Sequence, residues 1–127
     1  MKRIITTGKA PRAVGPYSQA VEVKGTLYIS GQVPLNPETM EVEGNTIKDQ
    51  TIQVMKNMGA ILESAGYSFS DVVKSTCYLA DMKYFKEMNE VYGQFYSENP
   101  PARAAFSVKE LPLGVLVEIE SVAVREQ

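Results

Sequence analysis

One stripe of residues constrains this chain more than any other feature. Between Thr46 and Gly66 the apolar residues Ile47, Val54, Met55, Met58, Ile61, Leu62 and Ala65 recur at three- and four-residue steps. That period belongs to a helix with one buried face. Thr46 with Asp49 resembles a capping box in which Asp replaces the usual Glu, and Gly66 stands where a left-handed C′ residue belongs. Such a helix must lay its stripe on something, and most of the remaining chain reads as strands. These are 3–7, a hairpin over 20–30 turning at Lys24-Gly25, 71–80, 102–108 and 115–124. Segments 10–20 and 31–44 hold prolines and glycines and read as loops, and a turn lies around 111–114. Asp81 opens a second helix running to about Tyr96, with Phe85, Met88, Val91, Tyr92 and Phe95 turned inward, and the prolines of "SENPPA" end it.

The order is strands, helix, strand, helix, two strands. It predicts an α+β fold with two helices packed on one face of a mixed β-sheet. The other face must be covered or polar. The strands carry few polar residues, so subunits are expected to cover it. At 127 residues the chain is expected to form a single domain, 1–127.

The net charge is −2, the pI is about 5.2, and no long block of like charge occurs. Neither nucleic acid nor an anionic membrane is an expected partner. No apolar run approaches the roughly 18 residues of a membrane span. The start, "MKRIITTGKA", is too short in apolar residues for a signal peptide, so the expected location is cytoplasmic.

Absences narrow the chemistry. There is no histidine, and Cys77 is the one cysteine. Common zinc sites, Ser-His-Asp and Cys-His arrangements and intrachain disulfides are therefore excluded. Cys77 lies in an apolar alternation with Val73 and Leu79 and reads as a buried, inert thiol rather than a nucleophile. Phosphate-cradling glycine loops and the nucleophile elbow find no match. Carboxylates, Arg, Lys, Tyr, hydroxyls, backbone groups and water remain.

Two stretches hold polar groups inside apolar strands. "NPPARAAF" (99–106) sets Arg103 among alanines, and arginine is almost never buried without a partner. "VLVEIESVAV" (115–124) places Glu118 and Glu120 on one face with Leu116 and Val122, against Val117, Ile119 and Ala123 on the other. One reading is a solvated face, or a carboxylate paired at a subunit contact. The sharper reading pairs Glu118 with Arg103 across a pocket, the two strands being taken as hairpin neighbours. Arginine's planar fork suits a carboxylate, and glutamate can orient or activate water, so the pair suits a small carboxylic acid. Tyr17 of "GPYSQ" can reach over such a pocket or simply pack on the core. Ser30 and Gly31 end a strand, where an exposed amide can bind ligand or an ordinary turn can form.

The stretches "APRAVGPYSQAV", "LYISGQVPLNPETM", "GYSFSDVVKSTCYLADM" and "NEVYGQFYSENPPARAAFSVKELPLGVLVEIESVAV" span nearly the whole chain in order. In them the chain resembles the Rid family of reactive intermediate deaminases, also called YjgF-like or L-PSP endoribonuclease-like proteins. The combination of "GPYSQ", "ISGQ", "PARAA" and "VEIE" is specific. The resemblance implies a chorismate-mutase-like fold and a homotrimer with clefts between subunits. It implies hydrolysis of enamines and imines released by pyridoxal-phosphate enzymes, such as 2-aminoacrylate with its tautomer 2-iminopropanoate, and 2-iminobutanoate. The products are 2-oxoacids and ammonium, and neither cofactor nor metal is needed. In this resemblance Arg103 holds the substrate carboxylate and Glu118 positions the attacking water. Tyr17, Ser30, Gly31 and Asn89 line the pocket, and Ala105 offers backbone contacts where some members carry Cys. An endoribonuclease acting on single-stranded RNA as a translation inhibitor, and a non-catalytic trimer that binds small carboxylic acids, are the alternatives.

Overall fold

The structure, a computed structural model, describes residues 1–126. Six strands follow the expected order: β1 (Arg3–Ile5), β2 (Ala20–Val23), β3 (Thr26–Gln32), β4 (Val72–Leu79), β5 (Ala102–Ser107) and β6 (Val117–Val124). The helices are α1 (Ile47–Ala65), between β3 and β4, and α2 (Phe85–Phe95), between β4 and β5. The end signals act as the sequence foretold. The Thr46 side chain accepts from the Asp49 amide at 3.1 Å, and Gly66 takes φ 86°. Asp81 accepts from the Lys83 amide at 2.8 Å and caps a short 3₁₀ turn, Met82–Tyr84, that leads into α2. The β2–β3 turn uses Lys24 and Gly25, both with φ above zero, which suits the twist of a tight hairpin.

The strands form one sheet in the order β1-β2-β3-β6-β4-β5. Every pairing is antiparallel except β4 with β5. A parallel pair needs a crossover, and α2 supplies it. The last strand then inserts between β3 and β4. This corrects one expectation: β5 and β6 are not hairpin neighbours, because β4 lies between them. Strand β5 pairs on one side only, and none of its residues is buried.

Both helices cover one face, giving the mixed α+β sheet expected. Val54, Met55, Met58, Ile61 and Leu62 of α1 and Met88 and Tyr92 of α2 share a core with Leu27, Ile29, Cys77, Leu79, Val117, Ile119 and Ala123. On the opposite face Tyr28, Phe106 and Val124 are exposed, as is Ile4 at the sheet's other edge. Val73 is also exposed, against the expected inward phase with Cys77. The β4–β6 register shifts between Val72 and Lys74, so Val72 takes the core position instead. Among the described residues no helix is long and apolar enough to cross a membrane.

Candidate active site

Strand β6 alternates as its sequence requires. Val117, Ile119, Ser121 and Ala123 are buried toward the helices, and Glu118 and Glu120 lie on the other face. There Glu118 stands in a cleft of about 700 Å³ lined by Pro11, Arg12, Val14, Tyr17, Gln19, Ser30, Gly31, Gln32, Val33, Leu35, Pro112, Leu113, Glu118 and Glu120. The Glu118 carboxyl is half-buried. Burial first, and the neighbouring Glu120 charge second, hold its pKa above the ordinary carboxylate range. It rests so closely on Gly31 that a Cβ there would come within 2.0 Å of its Oε2. Glycine is thus required at 31 by close approach rather than by turn conformation.

The loop that carries Tyr17 is fixed by a residue the sequence reading passed over. Gln19 is buried, and its side chain donates to the carbonyls of Thr7, Ala10 and Pro11 at 3.0, 3.3 and 2.8 Å while accepting from the Thr7 amide at 2.7 Å. A buried glutamine whose donors and acceptor are all used is a strong local fastener. Its signal was a polar residue immediately before an apolar strand. Ser30 ties the same loop to β3: its amide donates to the Gln19 carbonyl at 3.0 Å and its hydroxyl to the Ser18 carbonyl at 2.6 Å. Of the two positions where an exposed amide was expected, Ser30 therefore has its amide already taken, and its hydroxyl oxygen is left to accept from a ligand. Tyr17 is half-exposed over the cleft.

Arg103 is elsewhere. On β4, Ser75 lies beside Arg103 and Tyr78 lies opposite Glu118. Residues three apart on a regular strand point to opposite faces. Arg103 therefore projects on the helix side and Glu118 on the open side, and no ion pair joins them among the described residues. Arg103 Nη1 donates to Asn89 Oδ1 of α2 at 2.7 Å. Its Cζ lies 5.4 Å from the Phe85 ring centroid and 5.0 Å from that of Tyr92. Ala105 sits two residues further along the same face, beside Cys77. The expected residues thus form two groups in one chain: Tyr17, Ser30, Gly31 and Glu118 in the open cleft, and Arg103, Asn89 and Ala105 at the β5 edge.

Neither group has the makings of a metal site: no cluster of three or more metal-binding side chains occurs among the described residues. Cys77 is buried, and burial pushes its thiol up to about 11 despite the nearby Arg103 charge, as an inert thiol requires.

Comparison with known proteins gives one answer across the chain. The family model for Endoribonuclease L-PSP matches residues 7–125. A RutC family protein of Pyrococcus horikoshii is 52% identical over 126 residues, covering 99% of this chain and 100% of its own. The human 2-iminobutanoate/2-iminopropanoate deaminase is 47% identical over 125 residues, covering 98% of this chain and 91% of its own. The crystal structure of RidA from the Antarctic bacterium Psychrobacter sp. PAMC 21119 superposes with a TM-score of 0.93 at 50% identity, covering 97% of this chain and 99% of that one.

Proposed function

The chain belongs to the Endoribonuclease L-PSP family, in which Rid proteins fall, and from that premise we propose that it hydrolyses reactive 2-imino acids to 2-oxoacids and ammonium. The observation that carries this reading is the Glu118 carboxyl. It is half-buried, raised in pKa and pressed against Gly31 in a cleft, which is the setting of a general base rather than of a solvated surface charge. The 47% identity to a relative named as a 2-iminobutanoate/2-iminopropanoate deaminase gives it a substrate class.

The chemistry asks little of the protein. An iminium carbon is already electrophilic. Arg103 holds the carboxylate through in-plane N–H groups, and Glu118 takes a proton from the attacking water. Glu118 returns that proton to the carbinolamine nitrogen, the C–N bond breaks as the hydroxyl oxygen becomes the carbonyl and loses its proton to the departing ammonia, and one water is consumed for each ammonium formed. Placing acid and water side by side is a proximity effect, and it needs neither histidine nor cofactor.

Arg103 and Glu118 are on opposite faces of one sheet, so the working site needs two copies of the chain. One supplies the β5 edge and the next supplies the cleft, in a closed ring of three. The exposed Tyr28, Phe106 and Val124 and the unpaired β5 edge are the surface such an assembly covers. A cytoplasmic setting, alongside pyridoxal-phosphate enzymes that release such imines, completes the proposal. RNA cleavage finds less support, since the chain has no histidine and a net charge of −2.

The test is a coupled assay with a threonine dehydratase, which releases 2-iminobutanoate. Added protein is expected to speed 2-oxobutanoate formation, and Arg103→Ala to remove the effect while the far-ultraviolet spectrum stays unchanged. Full activity in that variant would refute the assignment of Arg103.

A further inference from the structure

We propose that Phe85 and Tyr92 are positioning residues, whose rings hold the Arg103 guanidinium in the orientation that receives a carboxylate. The proposal rests on the imine-hydrolase reading above and adds to it the part that makes an arginine on a bare edge strand usable. Phe85, Asn89 and Tyr92 are spaced i, i+4, i+7, so one stripe of α2 meets a single guanidinium. Asn89 takes one N–H at 2.7 Å, and the two rings lie 5.4 and 5.0 Å from Cζ. These are cation–π distances, which put the guanidinium over both rings without using its N–H groups as ring hydrogen bonds would. Hydrogen bonds leave through its plane, so the remaining N–H groups stay available to a carboxylate.

Strand β5 alone does not fix this side chain. It pairs only with β4, and a long flexible arginine at a sheet edge samples many rotamers. The helix removes that freedom before ligand arrives. Tyr92 points to the ring as the active part. Its buried hydroxyl makes no hydrogen bond to Arg103 among the described residues, so the contact with Arg103 is made by the ring.

The experiment compares Tyr92→Leu and Phe85→Leu, which keep apolar volume and lose the ring, with Tyr92→Phe, which keeps it. Each is read by steady-state kinetics with dehydratase-generated 2-iminobutanoate and by calorimetric binding of 2-oxobutanoate. Each Leu variant is expected to raise KM and the 2-oxobutanoate Kd roughly three- to tenfold, the worth of one cation–π contact. Its kcat and the acid limb of its pH profile should stay in place, and Tyr92→Phe should match wild type. An unchanged Kd in both Leu variants would overturn the proposal, as would a Tyr92→Phe defect equal to that of Tyr92→Leu. Phe85 is only partly buried, so Phe85→Leu keeps the test open if Tyr92→Leu melts early. If wild type hydrolyses no imine, the functional reading fails, while the cradle still stands or falls on 2-oxobutanoate binding. A wild type that neither hydrolyses the imine nor binds 2-oxobutanoate overturns both.

Discussion

The open cleft and the β5 edge solve opposite problems. The cleft around Glu118 is assembled from loops and strand ends, and its carboxyl is left partly desolvated with no ion pair among the described residues. The edge holds a cation that is oriented by three side chains of one helix and makes no ion pair among the described residues. Each region is half of an ion-handling site, held ready by structure around it. The difference teaches that the chain does not fold to satisfy these two charges. It folds around them, and in the proposed assembly a substrate and a second copy bring them together.

The largest effect should come from splitting the pair between chains. Arg103→Ala and Glu118→Ala are each expected to be inactive. Co-refolded in equal amounts, they should regain roughly a quarter of wild-type activity, because random assembly of three chains leaves one intact site in each mixed ring. No recovery would mean that both residues act from the same chain, and the comparison would collapse. Next comes Gly31→Ala. Its Cβ cannot coexist with Glu118 Oε2 at 2.0 Å, so the carboxylate must move. We expect kcat to fall by about tenfold to a hundredfold, as misplacement of a catalytic group does, with an unchanged circular dichroism spectrum.

A smaller effect appears in stability. The raised native pKa of Glu118 means that the folded chain keeps this proton more readily than the unfolded one. Stability from this group is therefore complete below the ordinary carboxylate range and is lost as pH rises through the native pKa. Glu118→Gln is expected to raise Tm at neutral pH but not at acid pH. The gain should be larger in an Arg103→Ala background, where no guanidinium from a neighbour offsets the charge; simple additivity would separate the two residues. Smallest of all is Glu120→Gln. It removes the second cause of the Glu118 shift, so the acid limb of kcat/KM, which should lie above the ordinary 4.5, moves toward it. A limb that does not move would take Glu120 out of the electrostatics of the cleft.

What could be read from the sequence was whatever is local. Thr46, Gly66, Asp81 and the Lys24-Gly25 turn mark element ends by their own side-chain or backbone chemistry, and the structure uses each of them. The phase of β6 was legible because Val117, Ile119 and Ala123 alternate with two glutamates. What escaped was pairing across the sheet. Insertion of β6 between β3 and β4 depends on crossover connections, and nothing in either strand announces its neighbour. That one error placed Arg103 and Glu118 on the same side, although both residues were recognised. Val73 failed for a related reason, since a one-residue register shift exchanges the faces of a strand. Gln19 was missed because its one signal, a polar residue just before an apolar strand, does not say that its bonds run to the backbone of a distant loop.

Cys77 has a practical consequence. It is the chain's lone thiol, wholly enclosed between β4 and the helices and kept protonated by its surroundings. An alkylating reagent can react with it only when the sheet and helices part. Labelling rates at Cys77 therefore time the opening of the core without any engineered probe. Applied with and without 2-oxobutanoate, the same measurement weighs how much a bound acid steadies the fold it completes.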